Sequence, residues 1–196
     1  MNPSTSQRPT PVARPLVWVE SMGGPLIAVP VSALSDWGGC TGSGTIAGSG
    51  DVVDDYDRAC EVEDLAGVTA VGPNGAHALL LADEPATSCW LPEHRAFLRW
   101  LGADSEADLL AAAEAVLADP STAWEECGTW ETDGPAILMD SAEAGDDLNV
   151  EYADGSGFPE QAPVPLPTGR WTVRAVHTRA GDHTSLGLVK LVPADS

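Results

Sequence analysis

The sequence predicts an α+β fold in which short strands outnumber helices, and three observations predict it. Apolar residues fall in short, often alternating runs, broken repeatedly by the chain's 20 glycines and 16 prolines. The period lengthens from Pro92 onward, which predicts an adjacent helix pair at about 92–118. The order of elements also repeats weakly. Glu20-Ser-Met-Gly-Gly-Pro-Leu-Ile27 is similar to Glu131-Thr-Asp-Gly-Pro-Ala-Ile137, and the segment 77–86 is similar to 185–194. Either two β-rich halves, about 16–90 and 124–195, are duplicated around a helical segment at 91–119, or common strand–turn chemistry explains the likeness. With 196 residues, 43% of them apolar, the chain can close one core over 16–195 without disulfides or metal.

Residues 1–15 carry four prolines, two arginines and no acid, and read as a flexible tail. Strands are expected at 16–19 and 26–31, around the turn-forming Ser-Met-Gly-Gly-Pro25. Pro30 places the second at a sheet edge or marks its end. Ser32 is expected to cap one helical turn that Gly38-Gly39 stops. After a glycine-rich loop at 39–50, strands are expected at 57–62, 68–71 and 77–82, the last two joined through Pro73-Asn-Gly75. Phe97, Leu98 and Leu101 place the first predicted helix before Gly102. Ser105 and Asp108 form a capping-box pattern for the second, whose stripe is Leu109, Leu110, Ala113, Val116 and Leu117, with Pro120 as its stop. Beyond it come 124–131, a turn at Asp133-Gly-Pro135, a strand at 136–139 and an acidic loop to about Pro163. Two closing strands follow, 170–177 and 186–192. Trp171, Val173 and Ala175 alternate with Arg170, Thr172 and Arg174, so one face is buried and the other wet.

Charge excludes whole classes of function. Thirty acids against nine bases give a formal charge of −21, so nucleic acid and anionic membrane are excluded as default partners. No apolar run is long enough to span a bilayer, and the N-terminus lacks the apolar segment of a signal peptide. Cys40, Cys60, Cys89 and Cys127 are widely spaced and read as free, buried thiols. These features together place the chain in the cytoplasm.

Motifs for chemistry are mostly missing. Gly42-Ser-Gly44 lacks the lysine of a phosphate loop and leads into Asp51-Val-Val-Asp-Asp55, which would repel a pyrophosphate. Cys89 with His94, and His177 with Asp182 and His183, fall short of a metal-ligand set; Asp54, Asp55 and Asp57 lack the ordered calcium-loop pattern. No nucleophile elbow occurs. No cofactor, metal site or catalytic residue is expected.

Two distributions stand out instead. Between Arg99 and Arg170 there are sixteen acids and no base. Pairing along a helix cannot neutralise them, so their partners lie elsewhere in the fold or on another protein. Seven of the eleven aromatic residues are tryptophans. Trp37, Trp124 and Trp130 sit in turn-like contexts, the last two beside Glu125, Glu126 and Glu131. Tryptophan next to carboxylate suits an interface anchor. The candidate partner-binding set is therefore Trp37, Trp124, Glu125, Glu126, Trp130, Glu131, Asp133, Asp140, Glu143, Asp146 and Asp147, weighed against a core role for the tryptophans and a solvated face for the acids.

Trp18-Val-Glu-Ser-Met-Gly-Gly-Pro-Leu-Ile-Ala-Val-Pro30, Trp37-Gly-Gly39 and Asp55-Tyr-Asp-Arg-Ala-Cys60 resemble immunity protein family 21 of bacterial polymorphic toxin systems. Trp90-Leu-Pro92, Gly134-Pro135 and Gly169-Arg-Trp171 with Arg174-Ala-Val-His177 extend the resemblance to about residues 16–193. It implies a protein encoded beside a toxin that binds and neutralises it, without an active site to transfer. An acidic occluder suits a basic, nucleic-acid-cleaving toxin. The alternatives are an acidic regulatory partner of another basic protein and an unrecognised Cys–His hydrolase.

Overall fold

The computed structural model describes residues 15–41, 53–82, 84–181 and 183–194. Residues 1–14 of the tail expected at 1–15, residues 42–50 of the glycine-rich loop expected at 39–50, and Asp182 lie outside them.

In chain order, β1 (Trp18–Val19) and β2 (Leu26–Pro30) lead into a 3₁₀ segment, Val31–Asp36. Then come α1 (Asp55–Cys60), β3 (Gly67–Val71), β4 (Ala76–Leu81), β5 (Ser88–Leu91), β6 (Ala96–Gly102) and α2 (Glu106–Ala118). The remainder is β7 (Glu125–Thr132), β8 (Ala136–Asp140), a 3₁₀ turn at Gly145–Asp147, β9 (Gln161–Val164), β10 (Gly169–Ala180) and β11 (Thr184–Pro193). The strands form two open antiparallel sheets, ordered β1-β5-β6-β11-β10-β7 and β3-β4-β2-β8-β9.

The sheets pack face to face because each strand alternates apolar residues toward the other sheet. Leu26, Leu79, Leu81 and Leu138 of the five-stranded sheet meet Phe97, Trp130, Trp171, Val173 and Val189 of the six-stranded one. The expected alternation in β10 holds, with Trp171, Val173 and Ala175 all buried. Both outer faces are partly covered as well. Trp37, Ala59 and Leu148 lie over Ile27, Leu80 and Met139. On the other side, α2 lays Leu109, Ala112 and Ala113 over Leu98, Leu186 and Leu188. The Ser105 hydroxyl accepts from the Asp108 amide, so the predicted cap forms.

Three expectations are corrected. The first predicted helix is the strand β6. Phe97 faces the inter-sheet core while Leu98 faces α2, so both sides of the strand are apolar and the two-residue period is lost. The strand expected at 57–62 is instead α1, nucleated by a capping box. There the Asp54 carboxylate accepts from the Asp57 amide and the Asp57 carboxylate from the Asp54 amide. Ser32 does not cap the 3₁₀ segment; its hydroxyl donates to Asp133 Oδ1 at 2.8 Å. In addition, β2 lies inside its sheet, and Pro30 marks its end, beyond the last pairing with β4.

Each sheet divides at its middle, with strands from before α2 on one side and from after it on the other. They meet at β6–β11 and β2–β8. β1 and β7 occupy opposite edges of one sheet, while β2 and β8 are neighbours in the other. The second half of the sequence likeness has no such counterpart, because β4 and β11 lie in different sheets.

Candidate docking surface

β7 is an edge strand, and it places Glu125, Glu126 and Glu131 in solvent. Their cations come from the neighbouring β10. Arg170 stands opposite Glu131 in the ladder, with Nε 3.4 Å from the Glu131 carboxylate, and Arg174 stands opposite Glu126. Part of the base-free run is thus neutralised by the fold itself. Asp133 follows in the β7–β8 turn, exposed, held through Ser32 and through Thr168, whose hydroxyl donates to the Asp133 carbonyl. Asp146 and Asp147 are exposed on their 3₁₀ turn, which is tied to the end of the Val31–Asp36 segment by the Gly145 amide, donating to the Trp37 carbonyl at 2.9 Å. The exposed candidate acids are therefore spread over β7, the β7–β8 turn and the 3₁₀ turn of the 141–160 loop.

Four of the expected residues do structural work. Trp37 is 1% exposed and Trp130 is 0% exposed, so neither meets a partner in the free protein. The Trp37 indole donates to the Ser141 carbonyl at 3.0 Å, and that of Trp130 to the His77 carbonyl at 2.8 Å. Their turn-like contexts hid these contacts, since both acceptors lie far away in sequence. Asp140 is also buried; its carboxylate accepts from the amides of Met22, at 2.6 Å, and Ala142, at 2.8 Å. Glu143 is half-buried and accepts from the Tyr152 hydroxyl. Trp124 is half-buried against the α2 side of the sheet, with Lys190 Nζ 5.8 Å from its ring centroid.

An open cleft of about 680 Å³ lies at the Asp133 end, lined by Asp36, His77, Glu131, Asp133 and Arg170. Asp36 and His77 carried no motif that could have singled them out; only the β3–β4 hairpin and the 3₁₀ segment bring them here. The lining is carboxylate-rich and holds no serine–histidine or cysteine–histidine pair in hydrogen-bond contact. Three of the thiols are held toward their protonated, less nucleophilic form. Burial pushes Cys89 up to about 12, with Glu106 adding to it, and burial also raises Cys60 and Cys127. Of the four cysteines, all free, only Cys89 is fully buried, while Cys40 and Cys60 are exposed, against the expectation of buried thiols. His94 meets Glu114 at 2.8 Å rather than Cys89. Among the described residues no group of three or more side chains is arranged to hold a metal ion. Asp54 and Asp57 are spent on the α1 cap, and Asp55 pairs with Arg58. No described helix is long and apolar enough to cross a membrane.

What the described residues offer is an open cleft and a set of exposed carboxylates. No curated protein and no solved structure matches the chain. A family model does: immunity protein 21, over residues 17–184, a span that takes in every candidate residue named above and every strand but β11, of which it reaches only Thr184. The chain belongs to the immunity protein 21 family.

Proposed function

We propose that this protein neutralises a cognate toxin domain, encoded by a neighbouring gene, by binding it in the cytoplasm and occluding its working surface, with no catalytic step of its own. The reading rests on family membership over 17–184. Its mechanism is supported by the charge of −21 and by the exposed carboxylates Glu125, Glu126, Glu131, Asp133, Asp146 and Asp147. A toxin that cleaves nucleic acid must present a basic surface to phosphate, and such a surface attracts this one. Complementary charge raises the encounter rate, which matters when a toxin must be silenced before it acts.

The experiment is co-expression and co-purification with the toxin domain of the adjacent gene. A stable complex, and rescue of growth that depends on this protein, is the expected result. A toxin that kills equally in its presence, and does not co-purify, overturns the reading.

A further inference from the structure

The connection from β8 to β9 carries a second kind of surface. The chain between β8 and β9 has only one 3₁₀ turn in twenty residues, yet it is ordered by its own contacts. The Val150 amide donates to the Asp147 carbonyl, the Tyr152 amide to that of Gly157, and Gln161 Nε2 to that of Leu148. Leu148 is buried as its foot. Compact loops of this length are uncommon without a function. The β1–β2 turn is tied to both ends of the loop, by the Met22 amide on Asp140 and the Glu20 amide on Glu160 at 2.7 Å.

This joined surface exposes what a solubilising face would not. Met22 is 76% exposed, Phe158 58% and Val150 55%, half of the six large apolar side chains that stand in solvent among the described residues. Val150 and Phe158 flank the turn that the Tyr152–Gly157 hydrogen bond closes. Around them stand Asp146, Asp147, Glu151, Asp154 and Glu160, all exposed, and neither the turn nor the loop contains a lysine or arginine. The contrast with β7 decides between the two surfaces: there Arg170 pairs with Glu131 and Arg174 stands opposite Glu126, whereas here, among the described residues, no ion pair reaches the carboxylates. Apolar knobs rimmed by unneutralised carboxylates are the anatomy of a contact centre with an acidic rim.

We infer that the face built from the β1–β2 turn and the 141–160 loop is the contact centre for a basic protein surface with an apolar recess, Phe158 and Met22 being its anchors. This rests on the immunity reading, so the partner is the cognate toxin domain. The test is surface-based kinetics of the full chain against that purified domain. Phe158→Ala and Met22→Ser should each raise the off-rate about 10- to 30-fold, while Val17→Ser, at a 48% exposed apolar residue outside this face, leaves it unchanged. Because the anchors are exposed, thermal unfolding should be unaffected and shows that the variants are folded. If wild type binds and both variants dissociate as slowly as wild type, the contact centre is elsewhere and the inference falls alone. If wild type does not bind, the immunity reading fails and takes the inference with it. If wild type is instead a dimer that Phe158→Ala makes monomeric, the face is a self-contact and the inference is overturned.

Discussion

Buried indoles and half-buried phenols carry much of the specificity at the scale of single residues. Trp130 contributes both volume to the inter-sheet core and a hydrogen bond to the His77 carbonyl that joins β7 to β4. Trp130→Ala should cost about 3–5 kcal/mol in urea unfolding, and Trp130→Phe about 1–2 kcal/mol, the share of the lost hydrogen bond. A Trp130→Ala protein of unchanged stability would return Trp130 to the interface. The two tyrosines give a pH-dependent signature. Burial raises Tyr56 to about 12, helped by its hydrogen bond to Cys60, and burial with the Glu143 carboxylate raises Tyr152 to about 12. Folding therefore favours the neutral phenols: the stabilisation is fully present below pH 10, their ordinary value, and is lost as pH rises toward 12. Ultraviolet titration should show almost no tyrosinate at pH 10 in the native protein and the ordinary half-ionised population in urea. Native ionisation centred at 10 would contradict this.

Local pattern was legible wherever one face of an element is wet. The alternation of β10, the Ser105 cap, the stripe of α2 and the Pro73-Asn-Gly75 turn all announce themselves, because half of each element faces solvent. β6 was illegible for the opposite reason: it is covered on both sides, and Phe97, Leu98 and Leu101 fit a helical stripe as well as a strand. Arg99 deepened the disguise. It is 1% exposed in the middle of that strand, where its guanidinium donates to the Ala82 and Glu84 carbonyls and lies 3.1 Å from His177 Nε2. It thereby pins the crossover that carries the chain from one sheet to the other. Arg99→Met should cost about 2–3 kcal/mol, and hydrogen exchange should quicken first in the residues around 82–87. Uniform quickening would place the role of Arg99 in global packing instead. The sheet edges also explain where charge went. β1 has two residues, β9 carries Pro163, and β7 carries its glutamates and a register shift near Gly128, whose φ of 94° suits glycine; each device discourages pairing with another chain.

The sandwich itself was not readable from the chain, because its central pairings, β2 with β8 and β6 with β11, join strands about a hundred residues apart, and nothing local encodes them. The excess of acid was readable, but not its division between β7, which lies beside the arginines of β10, and the 141–160 loop, whose carboxylates no ion pair reaches among the described residues. That division predicts how binding responds to salt. Exposed charges act over about 10 Å at 0.1 M ionic strength and about 3 Å at 1 M, so steering by this surface should fade across that range while packed anchors do not. In stopped-flow measurements with the toxin domain, the on-rate should fall at least about tenfold between low salt and 1 M, with the off-rate changing far less. Asp146→Asn with Asp147→Asn should lower the low-salt on-rate and flatten this dependence, since no arginine opposes those carboxylates within their segment. Glu126→Gln with Glu131→Gln should lower the on-rate too, since it removes the same two charges, but by less, because β7 lies outside the proposed contact face. If the two double variants shift the on-rate equally, only net charge matters and the geometry of the acidic loop is irrelevant to capture. If the wild-type on-rate ignores salt, the acids merely keep the protein soluble, and recognition depends on shape alone.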